Sequence, residues 1–279
     1  RGELAKADDN RELVVLKADI LVVDDNDMNL KVAKGLMKKL NVVPDTVNSG
    51  KKAIEMIKNK HYDIILMDHM MPVMDGIETL KLIRKNWLID SSTTVIALTA
   101  NAIAGAREMY LNEGFSDYMS KPIVPEQLEK ILETYLPEGS YKYEMKTDDS
   151  ASDNKDGLIE TLRNKGFNVD AAMTYCMNDE SFLLELLHTF VNSEPEKRSS
   201  ITGFYNDKNW ADYSTYVHAL KSSARTIGAD KLSKLALEQE NASKAQNVPS
   251  IISGFEGMME EYAKVVEVLK HALDSNRAA

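Results

Sequence analysis

Reactive side chains sit at the ends of apolar runs in this chain, where a packed core has no use for them. In YDIILMDHMMPVMDG, residues 62–76, an apolar run ends on Asp68, and Asp75 follows just before Gly76. The run DILVVDD ends on Asp24 and Asp25, TTVIALTA delivers Thr99, and DYMSKP delivers Lys121. Taken singly, an acid in such a place is as often a turn residue or a helix cap, and Asp75 before its glycine reads that way. Taken together, Asp24, Asp25 and Asp68 form a set that would repel itself unless a cation neutralised it. Oxygen-only ligands select a hard ion, and Mg²⁺ with several retained waters is the natural choice. A lysine beside a hydroxyl and a carboxylate is what an incoming phosphoryl group needs to have its oxygens neutralised.

A second reactive group lies far along the chain. In YVHALKSSARTIGA, the residues Val217, Leu220, Ala224 and Ile227 fall at helical spacing and predict a buried face. His218, Lys221, Ser222 and Arg225 then share another face. That places an imidazole beside two cations and a small residue that leaves the ring nitrogen uncovered, which suits a phosphoryl group better than a metal. His61, His69, His188 and His271 show no metal-type spacing and are expected to be ordinary structural histidines.

The elements that must position these groups are legible. From Ala18 onward, apolar runs alternate with helical patterns five times, and the first, third and fourth runs are continuous Val, Ile and Leu. This predicts an α/β doubly wound, five-stranded parallel sheet over residues 18–136, with the polar residues gathered at the carboxyl edge. From Pro137 the stretch PEGSYKYEMKTDDSASDNKDG has no apolar period, so residues 137–156 are read as a linker. About 20 flexible residues span roughly 25 Å on average, so contact between the two halves is sterically allowed. Residues 157–279 hold only amphipathic stretches and predict an all-α bundle, with Asp179 and Asp212 as helix-start caps. Residues 1–17, opening RGELAKADDNREL, are expected to be a remnant of a longer protein with no partner for a strand or helix face.

A net charge of −10 argues against the basic face that nucleic acid or an anionic membrane surface requires, leaving a protein or a cation as the expected partner. One cysteine, Cys176, permits no internal disulfide, and no apolar run approaches a membrane span. A reducing, cytoplasmic setting is expected for this segment. A membrane anchor elsewhere in a parent protein stays compatible with that.

With those motifs in place, residues 19–136 resemble the receiver domain of two-component response regulators. The matching residues are Asp24 and Asp25, the LMDHMMPVMDG block, ALTA with Thr99, and SKP with Lys121. The resemblance implies a flavodoxin-like fold with Asp68 as phosphoacceptor. It implies Asp24, Asp25, Asp68 and the backbone carbonyl of Met70 as Mg²⁺ contacts, and Thr99 and Lys121 as grips on the phosphoryl oxygens. Tyr118 would be an aromatic rotamer switch, Lys121-Pro122 a cis peptide, and Met70 and Asn101 the positions flanking the site where hydrolysis rates are set.

Residues 157–273, through HALKSSARTIGADKL and LALEQE, resemble the histidine phosphotransfer (HPt) domain, a four-helix bundle that passes phosphoryl groups between aspartates. This implies His218 as the phosphohistidine and Lys221 as its neighbouring cation. Ser222 departs from the glycine frequent after that lysine. Joined, the halves resemble the C-terminal portion of a hybrid sensor histidine kinase. Its implied partners are an upstream kinase core, with its dimerisation and ATPase domains, and the receiver of a downstream response regulator. No nucleotide-binding glycine boxes occur, so ATP-dependent autophosphorylation is not expected of this chain.

Two other readings compete. Haloacid-dehalogenase-type phosphatases would cast Asp25, Asp27, Thr99 and Lys121 as their catalytic set, but only Glu126 and Glu129 are available for the further acidic pair. Alternatively the helical half is a receiver-regulated binding or dimerisation module with His218 inert.

Overall fold

The structure, a computed structural model, describes residues 11–99, 106–145 and 156–278. Asn101 lies outside the described residues.

The chain opens with strand β1 (Arg11–Val15), and β2 (Ile20–Val23) begins the main sheet. Helix α1 (Asp27–Lys39), β3 (Asp45–Val47), α2 (Gly50–Asn59), β4 (Ile64–Asp68) and α3 (Gly76–Lys85) follow. Next come β5 (Thr94–Thr99), α4 (Ala106–Asn112), β6 (Asp117–Ser120) and α5 (Pro125–Tyr135). The five strands run parallel in the order β3-β2-β4-β5-β6. This is the expected doubly wound sheet.

The continuous apolar runs serve both faces because successive side chains alternate. Ile20, Val22, Ile64, Leu66, Ile96 and Leu98 enter one core with α1 and α5, while Leu21, Val23, Ile65, Met67, Val95 and Ala97 enter the other with α2 and α3. Because the strands run parallel, the polar residues at or just beyond the ends of β2, β4, β5 and β6 come to one edge. Asp75 is the N-cap of α3, its Oδ1 accepting from Glu78 N at 2.7 Å. The Lys121-Pro122 peptide is cis.

Two segments depart from the sequence reading. β1 pairs antiparallel with β7 (Tyr141–Met145), so part of the expected remnant (residues 1–17) meets part of the expected linker (residues 137–156). β1 alternates, burying Leu13 and Val15 and exposing Arg11 and Glu12. Its ladder continues into the receiver through Val15 N to Leu40 O at 2.9 Å and Asn41 Nδ2 to Val15 O at 3.0 Å. A strand this short, with half its face wet, carries too few apolar residues to stand out by period alone.

The second half contains no strand among the described residues. Short helices α6 (Asp156–Asn164) and α7 (Val169–Tyr175) lead to α8 (Glu180–Asn206), α9 (Trp210–Thr226), α10 (Asp230–Lys244) and α11 (Val248–Ala278). The last four form the expected bundle around Leu186, Phe190, Val217, Leu220, Ala236 and Leu269. Asp179 caps α8 as expected, accepting from Phe182 N. Asp212 does not cap α9: Asn209 is the cap and Asp212 lies in the first turn, because Asn209 Oδ1 reaches the Asp212 N–H. The bundle's core is continuous with the α1 and α5 side of the sheet. None of the described helices is long and apolar enough to cross a membrane.

Candidate functional site

The sheet's carboxyl edge gathers Asp24, Asp25 and Asp68, each offering an oxygen within 4.8 Å of the others'. Asp24 is fully buried. Its Oδ1 accepts from Asn26 N (2.9 Å) and Asn29 Nδ2 (2.9 Å), and its Oδ2 from Lys121 Nζ (2.9 Å). Asp68 Oδ1 accepts from Met70 N at 3.1 Å, which draws the Met70 peptide to the site, and Oδ2 ion-pairs with Lys121 Nζ at 2.6 Å. Gly76 holds the following turn close: a Cβ there would stand 2.2 Å from the Asp68 carbonyl oxygen.

Buried acids in such proximity resist ionisation. Burial, then the neighbouring Asp24, pushes Asp25 up to about 7, with Lys121 and Lys197 opposing. Burial likewise raises Asp68, against the pull of Lys121. Lys121 is pushed down by its burial, but Asp24, Asp68 and Asp25 outweigh this and hold it above its ordinary value. One lysine cannot neutralise three carboxylates, and this uncompensated charge in an oxygen-only donor set fits a divalent cation.

Thr99 is buried at the end of β5, and its carbonyl accepts from Lys121 N at 2.7 Å. Tyr118 lies further out, stacked on Tyr110 with ring centroids 6.2 Å apart. Tyr110 hydrogen-bonds His69 Nδ1 at 2.7 Å, so an aromatic relay that the sequence reading missed links Tyr118 to the residue after Asp68.

His218 occupies α9, and the structure corrects its setting. The face expected to be open is buried: His218 is 4% exposed, and Lys221 and Ser222 are buried with it. Arg225 is exposed. Glu240 of α10 organises the cluster, bonding His218 Nδ1 (2.9 Å) and Lys221 Nζ (2.5 Å), with Lys244 as a third partner. The EQE of LALEQE contained this carboxylate, but only helix pairing shows which acid faces the histidine.

His218 Nε2 has no hydrogen-bond partner among the described residues. Burial depresses the imidazole to about 4, with Glu240 opposing and the charges of Lys121 and Lys221 reinforcing. Burial also works against ionisation of Glu240, but its bonds to His218 and Lys221 keep it below the usual carboxylate range. A ring with Nδ1–H donated to a carboxylate keeps its lone pair on Nε2.

What covers His218 is the sheet's carboxyl edge. Asn26, next to Asp25, donates to Ala219 O (3.1 Å) and Ser223 Oγ (2.8 Å) and accepts from Lys197 Nζ (3.1 Å). The acceptor-like acid cluster and the nucleophile-like imidazole thus lie on facing elements, and the charge of Lys121, which pairs with Asp24 and Asp68, is felt at the His218 ring. Asn26, Asn29, Lys197 and Glu240 were missed in the sequence because each gains its role from a partner at least five residues away, three of the four from one more than 20 residues away.

Comparison with known proteins agrees with this division. A response regulator receiver domain model matches residues 20–133, and an Hpt domain model matches residues 185–278. The signal transduction histidine-protein kinase BarA of Escherichia coli is 29% identical over 229 residues, 81% of this chain and 24% of that protein. The aerobic respiration control sensor protein ArcB of the same organism is 24% identical over 96% of this chain and 33% of its own length. The chain therefore spans between a quarter and a third of these relatives. Among solved structures, the magnesium-bound receiver domain of sensor histidine kinase PA1611 from Pseudomonas aeruginosa is 35% identical, covers 42% of this chain and 96% of its own, and has a TM-score of 0.38.

Proposed function

The chain joins a response regulator receiver domain to an Hpt domain, as in hybrid histidine kinases, and on that premise we propose that it relays phosphoryl groups from Asp68 to His218. The carrying observation is the pair of poised atoms: a buried Asp68 carboxylate whose Oδ2 ion-pairs with Lys121, and a buried His218 Nε2 with no hydrogen-bond partner among the described residues. In the first step an Asp68 oxygen attacks the phosphorus of an upstream phosphohistidine. A P–O bond forms, the P–N bond breaks, and the electron pair returns to the donor ring. Lys121 and Thr99 meet the phosphoryl oxygens.

In the second step His218 Nε2 attacks the same phosphorus, the P–O bond breaks, and the Asp68 carboxylate is restored. The positive charge left on the ring is met by Glu240 through Nδ1–H, which needs no proton to leave Nε2. Asp24, Asp25, Asp68 and the Met70 carbonyl would hold Mg²⁺, which supplies neutralisation of the phosphoryl oxygens and the attacking carboxylate. Tyr118, stacked on Tyr110, would report occupancy of the site. The donor is a kinase core and the recipient of the His218 phosphoryl group is a separate response regulator, all in the cytoplasm.

Incubation with Mg²⁺ and acetyl phosphate tests the assignment. Label is expected on Asp68 as a base-labile acyl phosphate and then on His218 as an acid-labile phosphoramidate. Asp68→Asn should lose both, and His218→Gln only the second. Unlabelled wild type, or label unchanged by Asp68→Asn, refutes it. The alternative of an inert His218 leaves its bond to Glu240 and its unpartnered Nε2 without a purpose.

A further inference from the structure

Helix α1 carries a glycine, Gly35, at its middle, in KVAKGLMKK. Glycine is among the poorest residues for a helix interior. Gly35 is not among the positive-φ residues, so no special backbone conformation requires it. What requires it is space. A Cβ at Gly35 would lie 2.3 Å from Cζ of Phe182, and 2.7 and 2.8 Å from Cε1 and Cε2 of that ring.

Phe182 belongs to the first turn of α8, in the other domain, where Asp179 Oδ1 fixes the turn through the Phe182 N–H. The contact is one rung of an ordered antiparallel interface. Ascending α1 descends α8: Asn26 meets Lys197 (3.1 Å), Lys31 meets Thr189 (2.8 Å), Gly35 meets Phe182, and Lys39 meets Asp179 (3.7 Å) and the Met177 carbonyl (3.3 Å). Lys31, Gly35 and Lys39 are spaced by four and so share one face of α1. The polar rungs rest on flexible lysine side chains, whereas the Phe182 ring in this rotamer occupies the space that a Cβ at Gly35 would need. At its far end the same interface sets Asn26 on Ala219, the residue after His218, and on Ser223, one turn further along α9.

We propose that Gly35 is a specificity position: the missing side chain is the seat for Phe182, and it makes this receiver select the Hpt domain of its own chain. This rests on the phosphorelay reading above and adds to it that transfer from Asp68 to His218 runs within the docked chain. A separate regulator then reaches His218 only when the chain's own receiver lifts away.

Gly35→Ala in the full chain is the test. Alanine favours the helix, so α1 should persist and acetyl phosphate should label Asp68 as before. Transfer to His218, first order and independent of chain concentration in wild type, should slow at least tenfold. Modification of His218 by diethylpyrocarbonate, slow while the ring is covered, should rise at least tenfold. Removing the ring as well, in Gly35→Ala with Phe182→Ala, should recover part of both. Transfer and His218 protection unchanged in Gly35→Ala, or a double variant no better than Gly35→Ala, overturns the proposal. Failure of wild type to pass label to His218 would count against the phosphorelay reading, while the diethylpyrocarbonate comparison, which needs no phosphoryl group, still decides the role of Gly35.

Discussion

Acidification should loosen this molecule through His218. Burial holds the docked imidazole at about 4 against an ordinary 6.5, so between those values the unfolded chain binds a proton that the native chain refuses. The contribution is complete above the unfolded value and is lost as pH falls through 6.5 toward 4, because stability rises with pH wherever the unfolded state holds more protons. At about 1.4 kcal/mol per pH unit, the change from pH 7.5 to pH 4 amounts to roughly 3 kcal/mol. Asp25, raised to about 7, works in the opposite direction over much of the same range, so the wild-type profile alone does not isolate the histidine. The comparison is with His218→Gln, which keeps Asp25 and lacks the titration. Urea unfolding of both chains across that range should show the wild type losing about 3 kcal/mol more than the variant. An NMR titration of the ring should place its midpoint below 5. Parallel stability profiles, or a midpoint near 6.5, would refute the burial argument and with it the closed docking of the two domains.

Lys121→Met should leave Asp24 and Asp68 buried without their shared cation, costing about 3–5 kcal/mol in denaturant unfolding, with partial recovery in millimolar Mg²⁺. Since Asp25 sits near 7 without a cation, adding Mg²⁺ at pH 7 should release protons, and apparent affinity should fall as pH drops below 7; calorimetry in buffers of different ionisation enthalpy measures both. Leu13→Ala removes a buried side chain from β1 and should cost about 2–5 kcal/mol, whereas a disordered remnant would show no loss in the same melt.

The sheet and bundle were readable because their signals are local. Alternation of continuous apolar runs with helical periods is written in adjacent residues, and Asp24, Asp25, Asp68, Thr99 and Lys121 converge once the strands are parallel, since each is the last residue of a strand or lies just beyond its end. β1 escaped that reading because its pairing partner, β7, lies about 130 residues away and itself buries little.

Tertiary structure alone decided the setting of His218. Helical spacing fixed which residues share its face, but whether that face meets water or another domain depends on what packs over it, and the receiver does. Glu240 and Asn26 acquired their roles in the same way, through partners on other elements. Gly35 shows the limit most clearly: in the sequence it is only a weak helix former, and its use becomes visible when the Phe182 ring is seen lying where a side chain would have been.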